Sequence, residues 1–181
     1  NIIWHGHSCF EITGKDGTIV FDPYQANSVP GLNSLKLKAN LVLCSHEHDD
    51  HNARNCVEVA PKDFKVTCIE TYHDHHQGSH RGKNTIHIVD FENLKVVHMG
   101  DIGCMMDDVS KLKNCDVLMI PIGGYYTIDT KEALKYIERI QPRIVIPMHY
   151  HSHEFGYDVL STNEEFIQQS SSVTYVDDCL E

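Results

Sequence analysis

The stretch Ser45-His46-Glu47-His48-Asp49-Asp50-His51 follows an apolar run, Leu41-Val42-Leu43-Cys44, and its reading decides the rest of the chain. Positions 46 to 51 hold three imidazoles and three carboxylates, and His46, His48, Asp50 and His51 form the pattern H-x-H-x-D-H. Imidazole nitrogen and carboxylate oxygen are the donors that zinc and its neighbours prefer. A loop leaving a strand aims alternate side chains at one point before it turns. His46 and His48 can therefore serve one cation, and Asp50 and His51 a second, which implies a dinuclear hydrolytic centre. The zincin pattern H-E-x-x-H is excluded, because position 50 holds Asp50 and not histidine. A lone polar tract of this kind reads instead as a solvated loop that picks up metal adventitiously. Ligand-type residues at other strand ends separate the two readings.

Short strand signals fill the first half of the chain. Ile2 to Trp4, Ser8 to Ile12 and Thr18 to Phe21 read as strands, with Lys15-Asp16-Gly17 turning between the second and third. Leu41 to Cys44, Val66 to Glu70, Thr85 to Asp90 and Leu94 to Met99 follow, the last pair joined at Glu92-Asn93. Val117 to Ile120 and Ile144 to Ile146 read as buried strands, and Val173 to Val176 as a last strand. Among helices Thr130 to Ile140 is the clearest: Ala133, Leu134, Ile137 and Ile140 fall at helical spacing, Asp129 or Thr130 caps the start, and Pro142 lies beyond the end. His51 to Val59 and Asp107 to Lys113 are short helix candidates, and Thr162 to Gln168 is a final one, capped by Thr162 or Asn163. Antiparallel strands followed by alternating strand and helix fit two sheets packed face to face with helices outside. Further ligand-type clusters do follow predicted strands: Thr71 to His76, Gly100-Asp101, and Met148-His149-Tyr150. Loops at one end of a sandwich converge even when they are far apart in sequence.

Length and composition set bounds on the function. A chain of 181 residues buries roughly 70% of its unfolded surface, enough for one core, so residues 1–181 read as a single domain. No apolar run approaches a membrane span, and no leader pattern opens the chain, so neither a membrane nor an export signal is expected. A net charge of −11 disfavours nucleic acid and anionic lipid as partners. The seven cysteines are odd in number and contain no C-x-x-C, which points to free thiols in a reduced, cytoplasmic protein. Cys44, Cys68 and Cys115 lie in or beside apolar runs and read as small hydrophobes; Cys104 reads as packing, and Trp4 as core.

The ordered motifs resemble those of metallo-β-lactamase-fold hydrolases, in particular the small members related to the ascorbate-6-phosphate lactonase group. The matching pieces are Trp4 to Phe10, Phe21-Asp22-Pro23, the H-x-H-x-D-H loop, Tyr72-His73-Asp74, Arg81 to Thr85, His98 to Asp101, Pro121 to Asp129, and Pro147 to Tyr150. The resemblance implies an α+β, four-layer αββα sandwich. It also implies that His46, His48 and His73 hold one metal ion, that Asp50, His51 and His149 hold the other, and that Asp101 bridges them. His75 and His76 are alternatives to His73 that spacing does not exclude. Asp22 is expected to support the ligand loop, and His7 to line the site. Arg81 and Asn84 are candidates for contact with an anionic substrate group, the alternatives being a turn and a loop cap. Gly123 to Thr127, including Tyr126, is a candidate pocket wall.

The expected chemistry follows from charge. Two divalent ions, Asp50, Asp101 and a bridging hydroxide leave the centre about one unit positive, with hydroxide available near pH 7. Asp50 and Asp101 are the expected catalytic residues. Zn2+ is the first expectation, with Mn2+ or Fe2+ also compatible with these donors. An ester, lactone or similar small molecule is the expected substrate, anionic groups included. A phosphodiester is the alternative, and a noncatalytic metal-binding protein is the alternative from another class. A homo-oligomer is compatible with the sequence.

Overall fold

In the computed structural model, which describes residues 1–176 and 179–180, the strand signals pair into two five-stranded sheets and one small ribbon. In chain order the strands are β1 (Ile2–Gly6), β2 (Cys9–Gly14), β3 (Gly17–Phe21), β4 (Leu37–Ala39), β5 (Leu41–Leu43) and β6 (Val57–Val59). They continue as β7 (Lys65–Tyr72), β8 (Lys83–Phe91), β9 (Leu94–His98), β10 (Val117–Pro121), β11 (Ile144–Met148) and β12 (Cys179–Leu180). The helices are α1 (Thr130–Ile140) and α2 (Glu164–Gln169). The first sheet has the order β12-β1-β2-β3-β5, the second β11-β10-β9-β8-β7, and β4 pairs with β6.

Side-chain alternation assigns each strand two faces. Phe10, Ile12, Ile19 and Phe21 of the first sheet meet Val89, Val96, Val117 and Met119 of the second in the central core. The intervening Leu118 and Ile120 point the other way and pack on Ala133, Tyr136 and Ile140 of α1. Because β10 is buried on both faces, it reads as the continuous apolar run Val117 to Ile120. Helix α1 starts at a capping box: the Glu132 N–H donates to Asp129 Oδ1 at 2.9 Å, and the Asp129 N–H donates back to Glu132 Oε2 at 3.2 Å. It ends with Gln141 in the left-handed region at φ 55°, just before Pro142.

The outer face of the first sheet is covered differently. Cys9 and Val20 pack beneath Tyr24, Val29, Ala39 and Val57, which come from the 22–36 loop and the β4–β6 ribbon. The αββα sandwich therefore carries its described helices on the second sheet, while loop and ribbon fill the layer on the first.

Strand direction places the site. β1 and β3 both run antiparallel to β2, and β5 runs parallel to β3. In the other sheet β9, β10 and β11 are parallel, and β7 shares their direction because both β7 and β9 oppose β8. The C-terminal ends of these strands carry His7, Asp22, the 45–51 loop, His73, Asp101 and His149.

Three expected elements are corrected. His51 to Val59 is a short 3-10 turn at Arg54–Cys56 followed by β6, not one helix. There the Ala53 N–H donates to the Pro23 carbonyl, and Val57 pairs with Leu37. Asp107 to Lys113 forms turns. The Asp108 carboxylate takes both the N–H and the hydroxyl of Ser110, a local bond that competes with helix. Val173 to Val176 forms no strand; the strand of that region is β12. No described helix is long and apolar enough to cross a membrane.

Candidate metal centre

The loops at these strand ends meet around Asp101. Its Oδ2 lies 3.0 Å from His51 Nε2, 3.0 Å from His149 Nε2, 3.2 Å from His73 Nε2 and 3.9 Å from His46 Nε2. Asp50 Oδ2 sits beside this cluster, 3.0 Å from His7 Nε2 and 3.4 Å from His51 Nε2. Three groupings bring their donor atoms within 4.8 Å of one another: His46 with His48 and His73; His46 with His51 and Asp101; and His7 with Asp50, His51 and His149.

The neighbouring histidines take different positions. His73 is buried in the cluster, whereas His75 points to Glu132 at 3.4 Å and His76 stacks on His80. His7 was expected only to line the site. It lies deeper than that, fully buried, with its ring 4.1 Å from that of His149.

Supporting bonds fix these side chains. Asp22 is fully buried; it accepts from the Ser45 N–H at 2.7 Å and the Ser45 hydroxyl at 2.6 Å, and pairs with His51 Nδ1 at 2.8 Å. One carboxylate thus anchors the 45–51 loop and sets the His51 ring. Asn84 is corrected as a substrate contact. Its amide donates to Thr71 Oγ1 and the Met99 carbonyl, and its Oδ1 accepts from the Asp101 N–H at 2.8 Å, so it holds Asp101 in place. Trp4 packs against Phe10, Tyr150 and Phe155, and its indole N–H donates to the His7 carbonyl. The His149 N–H reaches the same carbonyl at 3.2 Å, joining the two sheets across the site.

Asp74 and Gly123 do comparable work through the backbone. The Asp74 carboxylate accepts four N–H bonds, from His76, Gly78, His80 and Arg81, at 2.7 to 3.0 Å. Burial works against its charge, yet these donors bring the carboxyl down to about 2 from 3.8. A depressed carboxyl contributes stability that is present above pH 3.8 and is lost as pH falls toward 2. Protection of residues 75–81 against hydrogen exchange, taken relative to the intrinsic rate at each pH, should therefore fall over that range, and Asp74→Ala should show the low protection already at pH 7. Gly123 faces the His149 carbonyl so closely that an added Cβ would overlap it, whereas Gly82 has open space and only a positive φ of 85°. By thermal or urea unfolding, Gly123→Ala should cost about 3 kcal/mol or more, at the top of the range for overpacking. Gly82→Ala should cost only about 1–2 kcal/mol of backbone strain.

Charge is divided sharply across the cluster. Burial pushes His46 down to about 3, with the His51 charge adding to it, and pushes His7 down to about 4, with His149 adding. Burial would also lower His51, but Asp101, Asp50 and Asp22 on three sides hold it well above its usual value. Asp101 stays ionised despite full burial, because His149 and His51 hold its carboxyl well below the usual range. Neutral imidazole and ionised carboxylate are the forms that ligate metal, so a cation bound here would displace the proton that the surrounding carboxylates hold on His51. Buried polar atoms ordinarily find partners. Here His46 Nε2, His51 Nε2 and Asp101 Oδ1 are buried without a hydrogen-bond partner among the described residues. Such converging, unpaired donors fit a divalent cation.

The cluster opens to solvent through a cleft of about 260 Å³, lined by His48, Asp50, His73, Arg81, Asp101, Tyr126, His149 and Tyr157. Tyr126 stands in the wall of this cleft. Tyr157 went unnoticed in the sequence, where an isolated tyrosine in a late loop carries no signal. A larger hollow of about 410 Å³, bordered by Trp4 and the β11 strand, offers no histidine, cysteine or carboxylate. Cys9, Cys44, Cys56, Cys68, Cys104 and Cys115 are unpaired, and none of them belongs to the three donor groupings.

A two-sheet sandwich with a His/Asp cluster at the ends of its strands defines a metal-dependent hydrolase of the metallo-β-lactamase superfamily. The chain belongs to the family described as the beta-lactamase superfamily domain, whose model matches residues 1–149. It is 30% identical to a UPF0173 metal-dependent hydrolase of Natranaerobius thermophilus, over 81% of this chain and 82% of that one. A UPF0173 metal-dependent hydrolase of Thermoplasma acidophilum is 29% identical, over 91% of this chain and 87% of its own. A solved metallo-β-lactamase-superfamily structure from Thermotoga maritima superposes with a TM-score of 0.74 at 28% identity, covering 94% of this chain and 86% of that one.

Proposed function

We propose that the protein hydrolyses an ester, lactone or similar bond of a small molecule at a centre holding two divalent cations, zinc first among them. His46, His48 and His73 would hold one cation, and Asp50, His51 and His149 the other, with Asp101 between them. When bound, such cations bring the pKa of water to about 7 and draw charge from a carbonyl or phosphoryl oxygen. The observation that carries this reading is the convergence of four imidazole nitrogens, at 3.0 to 3.9 Å, on one oxygen of Asp101 beneath an open cleft.

The chain's own residues supply orientation. Asp50 lines the cleft while its Oδ2 is tied to His7, so its carboxylate meets an entering substrate or water in a fixed pose. Ser45 pairs with His46 Nδ1 at 2.9 Å and Asp22 with His51 Nδ1, which leaves the Nε2 atoms of both rings facing the centre. The fold places no limit on the bond attacked, so β-lactams are not implied.

A hydrolysis screen on metal-quantified protein tests the proposal, with lactones, aryl esters and phosphodiesters in the panel. About two equivalents of metal and turnover of lactones or esters are expected. Turnover of phosphodiesters alone would replace the substrate class. Less than one equivalent of metal, with no metal-dependent turnover, would overturn the proposal.

A further inference from the structure

Arg81 is the cation at the mouth of the cleft. Its guanidinium carbon lies 5.4 Å from the centre of the Tyr126 ring and 6.0 Å from that of Tyr125. Among the described residues it has neither a carboxylate within 4.0 Å nor a side-chain hydrogen bond, although the chain carries a net charge of −11. The other arginines are committed: Arg54 to Glu47, Arg143 to Asp116, and Arg139 to the Met106 and Asp107 carbonyls. An arginine resting on an aromatic face keeps its planar fork of N–H donors directed outward and loses little freedom on binding.

The backbone fixes this fork relative to the centre. The Arg81 N–H donates to Asp74 at 2.7 Å, and the His73 N–H donates to the Gly82 carbonyl at 3.0 Å. Arg81 and His73 therefore belong to one braced loop. On the far side Tyr126 leans on Tyr157, which in turn meets the His7 ring at 5.6 Å. The aromatic wall thus runs from the centre out to the arginine.

We infer that Arg81 is the subsite for an oxyanion, carboxylate or phosphate, on the substrate, one short spacer from the bond that is cut. The inference rests on the hydrolase reading above and names its substrate class. A planar, always-charged fork pairs with such an anion in a bidentate manner. In an otherwise acidic protein it also gives the approaching anion a local attraction. The cleft of about 260 Å³ falls below the roughly 300–1,000 Å³ of pockets for drug-sized ligands, which suits a short substrate.

The test compares two aryl esters on the zinc-loaded protein, 4-nitrophenyl acetate and mono-4-nitrophenyl glutarate, in wild type, Arg81→Gln and Arg81→Lys. The kcat/KM ratio of glutarate ester to acetate ester should fall at least tenfold in R81Q and only a few-fold in R81K. Calorimetric titrations with glutarate and with glycerol 3-phosphate supply a readout independent of turnover. Both should bind at least tenfold more weakly to R81Q, and the tighter of the two in wild type identifies the anion. If the esters are turned over with an unchanged ratio and the titrations are unchanged, the subsite is wrong while the hydrolase reading stands. If no ester is cut by any variant, the ester reading fails, and the titrations alone decide whether Arg81 binds the anion.

Discussion

Asp101→Ala should lower metal-dependent hydrolysis by about 10³-fold or more, equivalent to about 4 kcal/mol of transition-state stabilisation. The carboxylate is the one group common to four imidazoles, which approach its Oδ2 within 3.0 to 3.9 Å. Without it the nitrogens surround a neutral void, so bound metal should fall by at least one equivalent when measured directly. Asp101→Asn separates shape from charge. It preserves the side-chain outline and the backbone bond to Asn84, yet it should lose metal and activity nearly as fully. Retention of both metal equivalents in the alanine variant would show that Asp101 lies outside the centre.

Asp22→Ala should produce the largest loss of stability, about 3–5 kcal/mol, because it removes one partner of a fully buried charged network. Three donors lose their acceptor at once: the Ser45 N–H, the Ser45 hydroxyl and His51 Nδ1. The buried imidazole of His51 would keep Asp101 and Asp50 beside it but lose the bond that sets its ring. Metal affinity should drop by about 10- to 100-fold, as when other partners that orient metal ligands are removed. Chemical unfolding of the metal-free protein reads the first effect, and a competitive chelator titration reads the second. A stability change below about 1 kcal/mol would mean that the network relaxes around the gap.

Asn84 shows how sequence and structure differ in what they reveal. It follows Arg81 closely, and in the sequence both are candidates for contact with an anion, against a turn and a loop cap. In the structure Arg81 reaches the cleft, while Asn84 turns inward and commits its amide to Thr71, Met99 and Asp101. Strand alternation accounts for the difference: β8 begins at Lys83, and once it is paired with β7 the Asn84 side chain takes the buried face. The misread helices have a similar origin. Val57 spends its apolar face on a strand pair with Leu37, about twenty residues earlier, and no local pattern announces that partner.

What the sequence determined by itself was a set of ligand-type residues and their address. H-x-H-x-D-H after an apolar run, with the 71–76 cluster, Asp101 and His149 each just beyond a strand signal, supplied candidate donor atoms and placed them at strand ends. Local spacing suffices for this, because a strand and its exit loop are set by neighbouring residues. Only the tertiary structure decided which histidine of the 73–76 cluster faces the centre, how deeply His7 enters it, and that Tyr157 joins the wall. It also decided that Asp22, Asn84 and Asp74 each satisfy donors that local spacing does not reveal. Those facts depend on the packing of one sheet against the other and on the direction of their strands. Contacts between distant segments are fixed by burial and hydrogen-bond satisfaction across the whole fold, and a linear pattern of residues does not encode them.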